Sequence, residues 1–285
     1  MSSRVTSQGV GIVLTTYNSS QHISATLKSI EDQTLLPAQV VVVDDHSTDT
    51  TVPRLRAWAH RLESHEVKVT VQRSTATDTD PAKRIGRNFT QGLRALAEVD
   101  FVALGDHDDV WFPQRLEEQV SSMAADPAAV MLASNGVLEG PNETLFESFD
   151  VPSSLESADP REVIRFTIRN SVATGGASMV RPGPLLRSGV LTPPGNWLHD
   201  RWWSLVAAAQ AGLRISPRPV LSYRVGQGQV VGLQRGRQVS RGLTRWRSAG
   251  SQDFARLRAL HQLRNIAHPD VQAELRWDRL LRSAL

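Results

Sequence analysis

The chain contains no cysteine, which excludes disulfides and thiolate metal sites and fits a reducing compartment. No stretch approaches the roughly 18 apolar residues needed to span a membrane. The first residues, Met1 to Gln8, lack the apolar centre of a secretory signal, so the expected location is the cytoplasm, at most against the inner face of the cell membrane. No internal repeat or long low-complexity segment is visible. Lysine is nearly missing, with Lys28, Lys68 and Lys83 as its three members, so arginine carries the positive charge. That charge is uneven. From Leu233 to Leu285 there are eleven arginines against four acidic residues, whereas the whole chain is only +3. A basic tail therefore follows a slightly acidic body, which points to an anionic partner surface. With 285 residues, 40% of them hydrophobic, the chain suits one large α/β domain with a tail, or two small domains.

What is present begins with a β-branched apolar run, Gly9 to Thr16, which reads as a buried strand. Ser19 or Ser20 is placed to cap a helix over 21–33, where Ile23, Leu27 and Ile30 recur at helical spacing. Gln39 to Val43 is a second strand ending at Asp44-Asp45, Thr50 to Glu63 a second helix, and Val67 to Val71 a third strand. This β-α-β-α-β order predicts a parallel sheet whose ligands lie beyond the strand C-termini. Further on, the pattern predicts a helix over 81–97, a strand over 99–104, a helix over 111–125 and a strand over 130–134. A loop or lid over 139–159, a helix over 161–168 and a short strand over 175–180 follow. The last elements are a helix over 198–212 and a strand over 220–225.

The most informative stretch is Gly105-Asp106-His107-Asp108-Asp109-Val110-Trp111. Three carboxylates within four residues repel one another unless something positive lies between them. A hard divalent ion beside a phosphate answers that need, because Mg²⁺ and Mn²⁺ favour oxygen ligands. An Asp-rich solvated turn is the bland alternative. Two more polar clusters, Thr15 to Asn18 and Asp44-Asp45, fall on the same predicted sheet edge.

Thr15-Thr16-Tyr17-Asn18, Val43-Asp44-Asp45-His46-Ser47-Thr48-Asp49, Asp106-His107-Asp108-Asp109-Val110-Trp111, Gly175-Gly176-Ala177 and His199-Asp200-Arg201-Trp202-Trp203 occur in that order. The set resembles the family 2 glycosyltransferases of the GT-A fold, and within them the bacterial rhamnosyltransferase-like branch. The resemblance spans about Val10 to Gly232. It implies an α/β fold of GT-A type, with a Rossmann-like, mostly parallel central sheet flanked by helices and a C-terminal helical tail. The catalytic domain would run over 1–232 and a basic helical extension over 233–285. The implied activity is inverting transfer of a sugar, rhamnose being favoured, from a nucleoside diphosphate donor (dTDP or UDP) to a hydroxyl of a saccharide or lipid-linked acceptor. The implied setting is cell-surface glycan synthesis.

By the same resemblance, Thr15, Tyr17 and Asp45 line the nucleobase pocket, with Asn18 beside them. Asp106 faces ribose or donor sugar, and Asp108 binds the Mg²⁺ or Mn²⁺ that bridges the diphosphate. Lys83 and Arg84, or Arg87, neutralise phosphate charge. Asp200 matches the general base, a role that needs a carboxylate within hydrogen-bond reach of the acceptor hydroxyl. Its alternative is a helix N-cap. His199 can position Asp200. One of Trp202 and Trp203 is expected to stack on a sugar and the other to anchor the core. Gly175 and Gly176 permit a close backbone approach to acceptor or donor, or form a bulge.

The pattern departs from the family in one place. Relatives often carry a histidine after the last strand, where this chain has Gly226, so Arg224 or Gln227 is the candidate to take over a phosphate contact. In the tail, Leu243, Trp246, Phe254, Leu257, Leu260, Leu263 and Ile266 alternate with arginines. Such helices can lie on an anionic membrane surface, or pack on the catalytic domain or on a second subunit in a homodimer. No nucleic-acid-binding module is recognisable. Two other readings stay open: a nucleotidyltransferase, against which stands the lack of glycine in Thr15 to Ser20, and a non-catalytic nucleotide-sugar-binding subunit.

Overall fold

The computed structural model describes residues 6–140, 143–172, 174–195, 197–224 and 251–284. In order, β1 (Thr6–Thr16), α1 (Ile23–Glu31), β2 (Leu36–Asp44), α2 (Thr51–Glu63), β3 (Lys68–Arg73), α3 (Pro81–Ala95) and β4 (Phe101–Asp106) form the first half. Then come β5 (Val110–Trp111), α4 (Arg115–Ala125), β6 (Met131–Leu138), α5 (Leu145–Ser148), α6 (Pro160–Arg169), β7 (Ser178–Val180), α7 (Pro182–Arg187), α8 (His199–Ala209) and β8 (Leu213–Tyr223). The tail contributes α9 (Ser251–Gln262), α10 (Pro269–Gln272) and α11 (Trp277–Ala284).

The described strands make one sheet in the order β3-β2-β1-β4-β7-β6-β8-β5. The first four are parallel to one another. β7 then runs antiparallel between β4 and β6. The β1–β4 ladder sets Thr15 opposite Asp106, and the β1–β2 ladder sets Thr16 opposite Asp44. Register alone thus brings three sequence-distant clusters to one edge.

Each central strand is apolar on both faces because both faces are covered. Val13, Val41, Val43, Val102 and Leu104 join a core with Phe89 and Leu93 of α3 and the body of α8. Ile12, Leu14, Val40, Val42 and Ala103 join a second core with Ile23, Leu27 and Ile30 of α1 and Leu55, Trp58 and Leu62 of α2. The described tail enters the first core through Leu257, Leu260, Leu263, Val271, Leu275 and Leu280. Glu274 holds it there, accepting from Arg165 Nε at 2.9 Å and Nη2 at 2.8 Å, and from Arg279. These helices therefore pack on the α/β body. Residues 225–250, which include Gly226, Gln227, Leu243 and Trp246, and the side chain of Phe254 lie outside the described residues.

Several elements differ from expectation, among them the last strand, which begins at Leu213 and not at Val220. α1 starts at Ile23 behind His22, which makes no side-chain cap. Ser19 is engaged elsewhere: its N–H donates to Thr51 Oγ1 at 2.7 Å and its hydroxyl accepts from Tyr17 N–H. The helix expected from Trp111 begins at Arg115, because Val110 and Trp111 pair with Ser222 and Leu221 of β8. The expected loop over 139–159 contains α5, started by a Thr144–Glu147 capping box, and a 3₁₀ turn at Ser153–Glu156. Gly175–Ala177 is itself a 3₁₀ turn, and the strand begins at Ser178.

Candidate active site

The loops after β1 and β2 are fastened to each other. Asp44 accepts from Thr16 Oγ1 at 2.9 Å, Ser47 Oγ at 2.6 Å and Ser47 N–H at 2.9 Å. Asn18 sits at φ 43°. Its N–H donates to Ser47 Oγ and its Oδ1 accepts from Thr48 N–H, both at 2.8 Å. Tyr17, 44% exposed, stands free of the core above this frame. Asp45 is buried and paired with Arg84 Nε at 2.9 Å. Arg84 is therefore held on the Asp45 carboxylate. Lys83 is exposed, and Arg87 pairs with Asp78.

The end of β4 is less settled. Asp106 and Asp108 are half-buried and Asp109 is fully buried. Asp106 accepts a long bond from Thr15 Oγ1 at 3.4 Å. Burial, then the charges of Asp108 and Asp200, push its carboxyl up to about 7. Neither oxygen of Asp109 has a hydrogen-bond partner at normal distance. Burial, Asp108 and Asp106 raise its pKa well above the carboxylate range, opposed by the Arg115 charge and the Arg224 backbone N–H. Arg115 is buried beneath this cluster, 3.6 Å over the Trp111 ring, and donates from Nη2 to Leu104 O at 2.8 Å. Its Nη1 has no partner. Burial brings the guanidinium pKa down to about 9. A partly desolvated group of carboxylates with too few positive neighbours is an electrostatic arrangement suited to a cation.

The third component arrives from the far half of the chain. Gly175 N–H donates to Asp200 Oδ2 at 3.0 Å, and Arg201 N–H donates to Oδ1 at 2.6 Å. The N-cap of α8 is Leu198, so Asp200 lies inside the first turn and does not take the cap position. Burial lifts its carboxyl to about 6, with Arg201, Gly175 and other backbone donors opposing. The glycines are there for space. A Cβ on Gly175 would sit 2.7 Å from His199 Nε2, and one on Gly176 would overlap Asp109 Oδ2. The 3₁₀ turn thus lies against the carboxylates, bringing Asp106, Asp109 and Asp200 around one backbone segment.

Two expectations are corrected by burial. Trp202 and Trp203 are 2% and 0% exposed, and their indole N–H groups donate to Val190 O and Leu191 O. Both are core anchors, and neither ring offers a face to a sugar. His199 is also buried and stacks on Phe89 at 3.9 Å. Its two ring nitrogens have no hydrogen-bond partner, and burial lowers its pKa to about 3. It is a neutral spacer that makes no hydrogen bond to Asp200.

Arg224 braces the acidic loop, donating from Nε to Asp108 O at 3.2 Å and lying 3.2 Å from His22 Nδ1. Asp109 and Arg115 are the residues that sequence reasoning did not place in the site. The available signal was Asp109 itself, a third acid in a segment bounded by apolar residues.

A sequence profile described as glycosyl transferase family 2 matches residues 11–181. Among curated proteins, the chain is 25% identical over 146 residues to UDP-Glc:alpha-D-GlcNAc-diphosphoundecaprenol beta-1,3-glucosyltransferase WfgD of Escherichia coli, covering 51% of this chain and 52% of that protein. The chain spans about half the length of that relative. Among solved structures, residues 1–349 of TarS from S. aureus in complex with UDP superpose with a TM-score of 0.61 at 16% identity, over 96% of this chain and 71% of that one. The mannosyltransferase PcManGT of Pyrobaculum calidifontis, in complex with GDP-Man and Mn²⁺, gives 0.54 at 22% identity over 97% and 72%. At these identities the structural likeness establishes the fold.

Proposed function

The chain belongs to glycosyl transferase family 2, and from that premise we propose that it transfers a sugar, with inversion, from a nucleoside diphosphate donor to a hydroxyl of a saccharide or lipid-linked acceptor in cell-surface glycan synthesis. The observation that carries this reading is the convergence of Asp106, Asp108 and Asp200, whose charges act on one another, at the edge where the Thr16–Asp44 frame ends.

In this reading Asp200 takes the proton from the acceptor hydroxyl. The new bond forms between that oxygen and the anomeric carbon as the bond to the donor phosphate breaks, and the nucleoside diphosphate leaves. A carboxyl lifted to about 6 is a stronger base than an exposed aspartate and is still ionised at neutral pH. Tyr17 and Asp45 serve the nucleobase, Tyr17 by its exposed ring and Asp45 by a carboxylate that Arg84 keeps in place. The resemblance to the rhamnosyltransferase-like branch favours rhamnose and hence dTDP; UDP is the rival, supported by the names of WfgD and of the TarS complex.

The residues present fit a hard divalent ion, Mg²⁺ or Mn²⁺. The carboxylates at the β4 end offer oxygen donors and crowd one another. Asp108, with Asp106, would hold the ion. Among the described residues no group of three or more His, Cys, Asp or Glu is arranged to hold a metal ion by itself. When bound, such an ion offsets the charge of the departing diphosphate. No helix among the described residues is long and apolar enough to cross a membrane.

Calorimetry with UDP and dTDP, each with and without Mn²⁺ or Mg²⁺, tests the reading. The expected result is metal-dependent binding of one nucleotide. Binding of neither in the presence of metal would overturn it.

A further inference from the structure

Along α3, Lys83, Gly86, Arg87, Thr90, Gln91 and Arg94 follow one another at helical spacing and form one wall of a groove of about 440 Å³. The opposite wall is Thr192, Pro193, Gly195 and Trp197. A helix face turned toward another segment is ordinarily apolar. This one presents three cations and two neutral polar side chains. Asp78 is the one carboxylate of the lining, and it is engaged by Arg87.

The opposite wall is also backed by positive charge. The Arg201 and Arg256 guanidiniums lie 4.8 Å and 5.5 Å from the Trp197 ring centre. Arg201 comes directly after Asp200, and Arg256 comes from the tail helix α9. A Cβ on Gly195 would sit 3.5 Å from Arg256 Nε. Like charges gathered around a concave surface focus a positive potential into it.

The groove meets the catalytic edge at Gly86. A Cβ there would lie 3.7 Å from Pro193 and 3.8 Å from His199 Cβ, and Phe89, one turn along α3, stacks on His199. The wall of the groove is therefore packed against the turn that carries Asp200. From Gly86 to Arg94 the helix rises roughly 12 Å, a length suited to a short saccharide.

We propose that this groove is the acceptor subsite and that it takes a saccharide bearing a phosphate or diphosphate. The acceptor hydroxyl lies at the Gly86 end, towards Asp200, and the phosphate reaches Arg94. Trp197 flanks a sugar ring between them. The inference rests on the transferase reading and adds to it the anionic character of the acceptor.

The test uses the full chain with its nucleotide site saturated, in the presence of Mg²⁺, by whichever of UDP and dTDP it binds, so that a second anion cannot bind there. Inorganic pyrophosphate is then titrated by calorimetry into the wild type and into Arg94→Glu and Arg94→Gln. Pyrophosphate is expected to bind the wild type, more weakly as salt rises, and to lose about fivefold in affinity in each variant. Affinity for that nucleotide serves as the control that each variant is folded. If the nucleotide binds but pyrophosphate does not, or if both variants bind pyrophosphate like the wild type, the groove is not an anion subsite. Binding of neither UDP nor dTDP by the wild type would instead break the transferase reading. A hexose 1-phosphate and the same headgroup on a short prenyl chain, compared in the same assay, separate the two sources. Equal affinity assigns the groove to a soluble sugar phosphate and tighter binding of the prenyl form to a lipid-linked one, while binding of neither overturns the proposal.

Discussion

Two groups of carboxylates stand on one sheet edge, and they differ in what already satisfies them. Asp44, at the end of β2, accepts three hydrogen bonds, and Asp45 beside it holds an arginine. Asp106 at the end of β4 has one long bond, and Asp109 has none at normal distance. The first group is finished as it stands: its acids organise loops, and their partners come from residues close in the fold. The second is unfinished, because burial has removed water without supplying enough positive charge. Desolvated acids of this kind hold protons or wait for a cation. The difference separates the part of the site that frames a ligand from the part that performs chemistry on it.

Substitutions in the unfinished group and at Asp200, whose charge acts on Asp106, should give the largest effects. Asp200→Asn keeps the shape of the side chain and removes the base, so transfer should fall by about 10²–10⁴-fold while metal-dependent nucleotide binding persists. Asp108→Asn should abolish that binding as well. Steady-state rates and calorimetry on both variants check the division of labour. Wild-type rates in either one remove its assigned role.

The unfinished group should also leave its mark on stability. Asp106 and Asp200 keep their protons in the folded chain up to about 7 and about 6, against 3.8 for the ordinary carboxyl. Between those limits the folded state binds more protons than the unfolded one, so stability falls as pH rises. The two acids interact and titrate as a pair. Thermal melting of the metal-free protein should therefore decline from pH 5 to pH 7, by an amount on the order of a few kcal/mol. Mn²⁺ with nucleotide should flatten that decline. A melting curve that rises over this window would remove the electrostatic contrast between the two groups.

The same contrast explains what could be read from the sequence. The β-α-β-α-β order and the three polar clusters at strand ends were legible because each depends on residues near one another in the chain. Thr15, Asp45, Asp106 and Asp108 come to one edge through strand order and register alone. The far half depends on pairs distant in sequence. Val110 and Trp111 become a strand only because β8 returns beside them. Trp202 and Trp203 are core residues because Val190 and Leu191 present carbonyls to their indoles. Arg115 is a buried cation because Trp111 lies under it and Leu104 offers a carbonyl. No local periodicity contains any of these facts. The start of α1 failed for a local reason: Ser19 had the chemistry of a cap, but its hydroxyl accepts instead from the N–H of Tyr17.

A smaller effect tests how tightly the far half is fitted to the acids. Gly176→Ala places a methyl group on Asp109 Oδ2, and backbone or carboxylate must shift. The expected cost is roughly 1–3 kcal/mol, seen as a lower melting temperature together with reduced transfer. Adding Asp109→Ala removes the obstacle, so the double variant should be less destabilised than the sum of the two single changes. Strict additivity would show that the glycine is present for some other reason.

The smallest expected effect lies in the finished group, at Asn18. Its φ of 43° is tolerated by asparagine and costs glycine nothing, whereas alanine is strained there by about 1 kcal/mol. Asn18 Oδ1 also accepts from Thr48 N–H at 2.8 Å, but on an exposed surface where water can replace it. Asn18→Gly loses only that bond and gains unfolded-state entropy, so it should cost about 0.5–1 kcal/mol. Asn18→Ala loses the bond and adds the strain, so it should cost about 1 kcal/mol more than glycine. Denaturant melts of the two variants isolate backbone strain from hydrogen bonding. If they are equally stable, the loop has relaxed away from its left-handed turn, and the frame under Tyr17 is softer than its hydrogen bonds imply. Nucleotide affinity in the alanine variant then reports how much of the ligand's binding depends on that frame being fixed before the ligand arrives.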